Sequence, residues 1–197
     1  MPEVTTPEES GKILRGCRAF WLSFDGENWT CLGADDDDLS IETNPDSQNF
    51  TNVQGRTRVE INNYAPSLSN ENYIARKEDA IYPHLQEIAN TLTTADSKIT
   101  ATLLVATLTD EVYKADTETL AGTGFQTKAK VVVTGDGGGT SGYQIPYTVT
   151  EEGGRTQGTV SVADGKPTFT PLTSAEKAAM RSDRLAAGGT ESGSLSD

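Results

Sequence analysis

Four features of this chain carry residue types that chemistry uses. They are the run Asp35, Asp36, Asp37, Asp38, the single histidine His84, the cysteines Cys17 and Cys31, and the stretch Asp136-Gly-Gly-Gly-Thr-Ser-Gly142. Consecutive carboxylates attract calcium, but a calcium loop needs spaced ligands and a glycine turn, so a solvated acidic loop is the favoured reading. The glycine stretch follows Val131–Val133 as a phosphate cradle would, yet it lacks the Gly-Lys-Ser/Thr ending and a strand pattern comes next. It reads as a broad hairpin connection. His84 has no carboxylate placed beside it by a recognisable motif, and it falls on a helical pattern, at the surface or at a subunit contact. Neither cysteine has a second metal ligand nearby, and no Gly-x-Ser-x-Gly elbow occurs. The expectation is a protein with no catalytic residue, no cofactor and no metal.

The elements that would position these residues are mostly strands. Hydrophobic content of 35%, 19 glycines and many threonines suit a β-rich chain with turns better than a helical enzyme. Cys17–Phe24 and Trp29–Leu32 form a hairpin around Asp25-Gly26, which sets Cys31 opposite about Leu22 and leaves no disulfide. Short strands are expected near Leu39–Thr43 and Phe50–Gln54, and longer ones over Ile99–Leu108 and Gln126–Thr134. Tyr143, Ile145, Tyr147 and Val149 alternate with polar residues, with Pro146 marking an edge or a break in pairing. Glu152-Gly-Gly154 and Asp164-Gly165 read as turns. Residues 1–16 are a flexible arm, 17–172 the β domain and 173–197 a flexible tail.

The stretch from Arg56 to Leu92 is the most distinctive. Val59 and Ile61 alternate with polar residues over Arg56–Asn62, the period of a half-buried strand. Residues 63–77 have no sustained period and read as a long loop, a type that is usually functional. Ile81, Leu85, Ile88 and Leu92 then recur at helical spacing, a helix of about 79–92 with Pro83 in its first turn. The isolated apolar side chains of the loop, Tyr64, Leu68, Tyr73 and Ile74, suggest contact with another chain.

Three stretches carry a resemblance. Thr57-Arg-Val-Glu-Ile-Asn-Asn-Tyr-Ala-Pro-Ser-Leu68, Glu78-Asp-Ala-Ile-Tyr-Pro83 and Lys128–Thr150 with the strands after it resemble, in pattern and order, the major tail protein that builds the tail tube of long-tailed bacteriophages. The resemblance spans about 51–171. It implies a mainly β, tail-tube-like sandwich or split barrel with one flanking α-helix and extended loop and termini. It also implies a structural virion protein, made in the host cytoplasm, that polymerises into stacked, typically hexameric rings. The channel so formed would deliver double-stranded DNA without sequence-specific binding. Partners would be further copies of the chain, a tape-measure protein and a tail tip. Tyr64, Leu68, Tyr73 and Ile74 become inter-ring contact candidates, and Asp35, Asp36, Asp37 and Asp38 lumen acidic candidates.

Charge agrees with such a channel, because a net charge of −13 repels phosphate wherever carboxylates cluster. No apolar run approaches a membrane span, and the first residues lack the basic and apolar regions of a secretory signal. Asn28-Trp-Thr and Asn49-Phe-Thr are then chance matches to the glycosylation acceptor. Two alternatives stand beside the tail tube. One is the inner tube of a contractile tail or a tail-derived injection particle. The other is an extracellular β-sandwich binding module, which would display an aromatic platform.

Overall fold

The computed structural model describes residues 14–33, 39–116, 118–140 and 142–179. Among the described residues twelve strands carry the fold: β1 (Arg18–Ser23), β2 (Thr30–Cys31), β3 (Ile41–Glu42), β4 (Pro45–Thr51), β5 (Thr57–Tyr64), β6 (Ser67–Asn70), β7 (Thr100–Leu108), β8 (Leu120–Val133), β9 (Gly137–Gly139), β10 (Gly142–Gln144), β11 (Tyr147–Ala163) and β12 (Lys166–Pro171). Helix α1 spans Tyr82–Thr91, and a single turn, α2, spans Asp96–Ile99. One eight-stranded antiparallel sheet runs β2-β1-β7-β8-β11-β6-β3, with β12 pairing the far half of β11. Two hairpins stand outside it, β4–β5 and β9–β10.

The two longest strands, β8 and β11, each serve two cores. Over Ala129–Val131 and Tyr147–Val149 they pack with Phe20, Leu22, Leu103 and Val105 against Ile81 and Leu85 at the start of α1. At their other ends, Leu120, Val160 and Val162 join Trp21, Leu104 and Ala106 on the opposite face. Strands β1 and β7 therefore bury both faces, as Ala19 and Trp21 point one way and Phe20 and Leu22 the other. A sheet that buries opposite faces at opposite ends has to curl. Glycines permit it: a Cβ on Gly124 would lie 2.0 Å from the Val105 carbonyl oxygen, and one on Gly158 2.4 Å from the Phe169 ring.

Most expected elements are present, and several are shifted. The Asp25-Gly26 hairpin pairs Trp21 with Cys31 rather than Leu22 with Cys31, and both cysteines are free. Asp164-Gly165 is a two-residue hairpin turn, with both residues at positive φ as a primed turn demands. The glycine stretch closes β9 onto β10, and pairing breaks at Ile145-Pro146 before β11 begins. Glu152-Gly-Gly154 is not a turn. It is a bulge inside β11, where the register against β8 shifts between Glu152 and Thr156. Phe50–Gln54 is not a strand of its own, because β4 ends at Thr51 and the chain turns over residues 52–55. The helical stripe ends one residue early: Ile81, Leu85 and Ile88 are buried, whereas Leu92 is the left-handed C-cap (φ 49°) and lies exposed.

Candidate assembly surface

The stretch expected to be a half-buried strand followed by a loop is built differently. β5 pairs only with β4, from Thr51↔Thr57 to Pro45↔Tyr64, with a bulge at Asp46/Ser47. Asn52 closes the tip: its Oδ1 accepts the N–H groups of Gln54 and Arg56, both at 3.0 Å, while Gly55 takes the positive φ. On one face Val59 and Ile61 lie beside Asn49 and Ser47. On the other Phe50 lies opposite Arg58, whose guanidinium pairs with Glu60 at 2.6 Å. Val59 is 61% exposed and Ile61 55%, so the alternation gives an apolar face that the chain's own described residues leave open. A lone two-stranded hairpin is marginal in water, and both of its outer edges lack a pairing strand among the described residues.

The root of this arm is fixed more firmly than its length. Asn44, at φ 40°, accepts the Ala65 N–H at its carbonyl and donates from Nδ2 to the Ala65 carbonyl and the Ser67 hydroxyl. Beneath the root lies the β11 bulge. Arg155 donates Nε and Nη2 to the two Glu151 carboxylate oxygens at 2.7 and 2.6 Å, and its guanidinium lies 4.1 Å over the Phe125 ring. The Glu151 side chain is 2% exposed. Its N–H donates to the Pro66 carbonyl, and the pair lines a groove with Ile61, Asn63 and Tyr64. A fixed ion pair thus stands where the arm leaves the body.

The four inter-ring candidates separate. Tyr64 is exposed at the arm's root and Ile74 is half-buried, bridging to Gln144. Leu68 and Tyr73 correct the loop reading. Residues 63–77 contain β6, and both side chains are buried in the first core, where they offer no surface to a neighbour. Tyr73 meets Tyr147 edge-on and donates its hydroxyl to Asp79 at 3.0 Å; burial, then Asp79, holds its ionisation well above the ordinary tyrosine range. Asp35, Asp36, Asp37 and Asp38 lie outside the described residues. His84 is half-buried and stacks on Phe24, with ring centroids 4.5 Å apart. Phe50, on the arm's other face, and Val53, at its tip, are exposed as well, and the sequence reading marked neither as surface.

Other edges of the main sheet are poorer docking strands. In β12 the Leu172 N–H donates to the Gln157 carbonyl, so even-numbered residues face β11 and odd-numbered ones face outward. Two of those outward positions are Pro167 and Pro171, which have no N–H to donate. Strands β2 and β3 are two residues each. Among the described residues no helix is long and apolar enough to cross a membrane. No protein-family model matches the sequence, and no curated protein matches it.

Proposed function

We propose that this chain is a structural subunit that assembles with copies of itself, as the tail-tube protein of a long-tailed phage. One observation carries the reading: the β4–β5 arm presents Val59, Ile61, Phe50 and Val53 to solvent on a hairpin whose edges have no partner strand among the described residues. Such a surface is a hazard for a monomer and an asset for a protein that stacks. Head-to-tail contacts do not close on themselves, so they extend into a filament. The arm, in place of residues 63–77, becomes the element that reaches an adjacent ring. The curled antiparallel sheet with one helix packed on it agrees with the expected subunit, and the net charge of −13 suits a conduit for DNA. A sugar-binding module is less well supported, because Trp21 is fully buried and Trp29 packs against the second core.

The test is negative-stain electron microscopy of the purified full chain across concentration, with light-scattering mass. Rings or hollow tubes are expected for the wild type. The double variant Val59→Glu/Ile61→Glu should remain monomeric with an unchanged melting temperature, since neither side chain is in a core. A wild type that stays monomeric when concentrated, even with a tail-tip complex added as nucleus, would sink the reading.

A further inference from the structure

Away from the arm, a cleft of about 420 Å³ opens where β1, β7, β8 and β11 meet the residues after β12. Three cations line it, Arg18, Arg155 and Lys177, together with Thr107, Thr123 and Gln157, and among the described residues no acidic one does. That is notable in a chain with 29 acidic and 16 basic residues. The floor includes Gly124 and Gly158, which are cross-strand partners. Arg155 is already neutralised by Glu151, which also holds its guanidinium still. Arg18 is different: its Nη1 donates to the Thr107 hydroxyl at 2.8 Å, a neutral partner. Burial first, and then the guanidiniums of Arg155 and Arg15, lower its pKa. Lys177 reaches the same space from the other wall.

We propose that this cleft accepts an exposed Asp or Glu side chain from a second copy of the chain. The inference rests on the assembly reading above and adds a polar contact to it. Copies carrying −13 each repel at long range, so stacking needs places where a carboxylate meets uncompensated positive charge. A guanidinium already fixed by Thr107 can add a charge-assisted bond without losing further side-chain freedom. Lys177, on its flexible four-carbon stem, would follow the incoming carboxylate as a point charge.

The full chain is titrated at low ionic strength with the tripeptide acetyl-Asp-Glu-Asp-amide, and separately with inorganic phosphate, while amide resonances are followed. The peptide is expected to move the Thr107, Gly124 and Gln157 signals. Arg18→Gln should weaken it by about tenfold, the scale of one charge-assisted pair, and Lys177→Gln by less. Lys98→Gln, whose native partner Glu87 lies 3.0 Å away on the surface, should leave it unchanged. Ring formation is measured on the same samples, and the two lysine variants guard against a misfolded Arg18 variant. Rings lost in Arg18→Gln and Lys177→Gln, with peptide binding lost in parallel, support the proposal. Rings that persist in both, or tighter binding of phosphate than of peptide, overturn the cleft and leave the assembly reading standing. A wild type that forms no rings overturns both, since no second copy then arrives.

Discussion

β5 and the first part of β11 have the same pattern and opposite fates. Val59 and Ile61 alternate with polar residues just as Tyr147 and Val149 do. Yet the first pair is 61% and 55% exposed and the second 1% and 0%. The difference lies in the neighbours. β11 runs between β8 and β6, under Tyr73 and the start of α1, whereas β5 has only β4 beside it. Alternation tells which side chains share a face. It does not tell whether the chain itself or another molecule covers that face.

The sharpest way to break this comparison is to cut an aliphatic side chain of similar size from each region. Leu68→Ala opens a cavity in the first core and is expected to cost about 2–5 kcal/mol. Ile61→Ala should stay within about 0.5 kcal/mol, because the residue packs against little in the isolated subunit. Urea midpoints at unchanged m-value measure both. Equal losses would mean that the arm's face is covered within the subunit, and the contrast would collapse.

Next in size is the ion pair at the boundary between the regions. Glu151→Ala leaves Arg155 beside the Phe125 ring without its counter-charge. The expected cost is about 2 kcal/mol, below that of a fully enclosed pair because 37% of the Arg155 side chain remains in water. If the chain assembles as proposed and the pair also sets the direction of the arm, this variant should impair ring formation at temperatures where the body is still folded. A Glu151→Ala protein that assembles normally would show that the arm is held by Asn44 and the strand pairing alone.

How much of this was legible depended on whether local pattern or long-range placement decided each element. β7, the β1–β2 hairpin, α1 and the Asp164-Gly165 turn were readable, because periodicity and turn chemistry act within a few residues. β6 was not: Ser-Leu-Ser-Asn offers a single apolar residue, and its pairing with β11 on one side and β3 on the other makes it a strand. The bulge was misread because Gly-Gly is ordinarily turn chemistry, while here the extra residues shorten a continuous strand. That shortening also hid the Glu151–Arg155 pair. In a regular strand, positions four apart lie about 13 Å from one another, too far for the bidentate contact observed. Of the four contact candidates, Leu68 and Tyr73 were drawn into the core, by residues distant in sequence: Ile41 and Val149 opposite Leu68, and Tyr147 edge-on to Tyr73.

The smallest effect tests whether the second hairpin outside the main sheet behaves like the arm or like the body. Tyr143 on β10 donates its hydroxyl to Asp136 at 2.6 Å, just before β9. That hydrogen bond, then burial, then the Asp136 charge, push its ionisation from 10.0 up to about 12. A raised pKa stabilises the fold fully below pH 10, and the contribution fades as pH rises toward 12, because the unfolded chain loses its proton first. Ultraviolet titration with Tyr143→Phe as the difference reference should place this tyrosine near 12, and Asp136→Asn should bring it back toward 10. The same substitution should flatten the part of the alkaline stability loss that belongs to Tyr143. If Tyr143 instead titrates near 10 in the wild type, the β9–β10 hairpin opens freely and belongs with the arm. A value near 12 groups it with the body, leaving β4–β5 as the one hairpin among the described residues with an open apolar face.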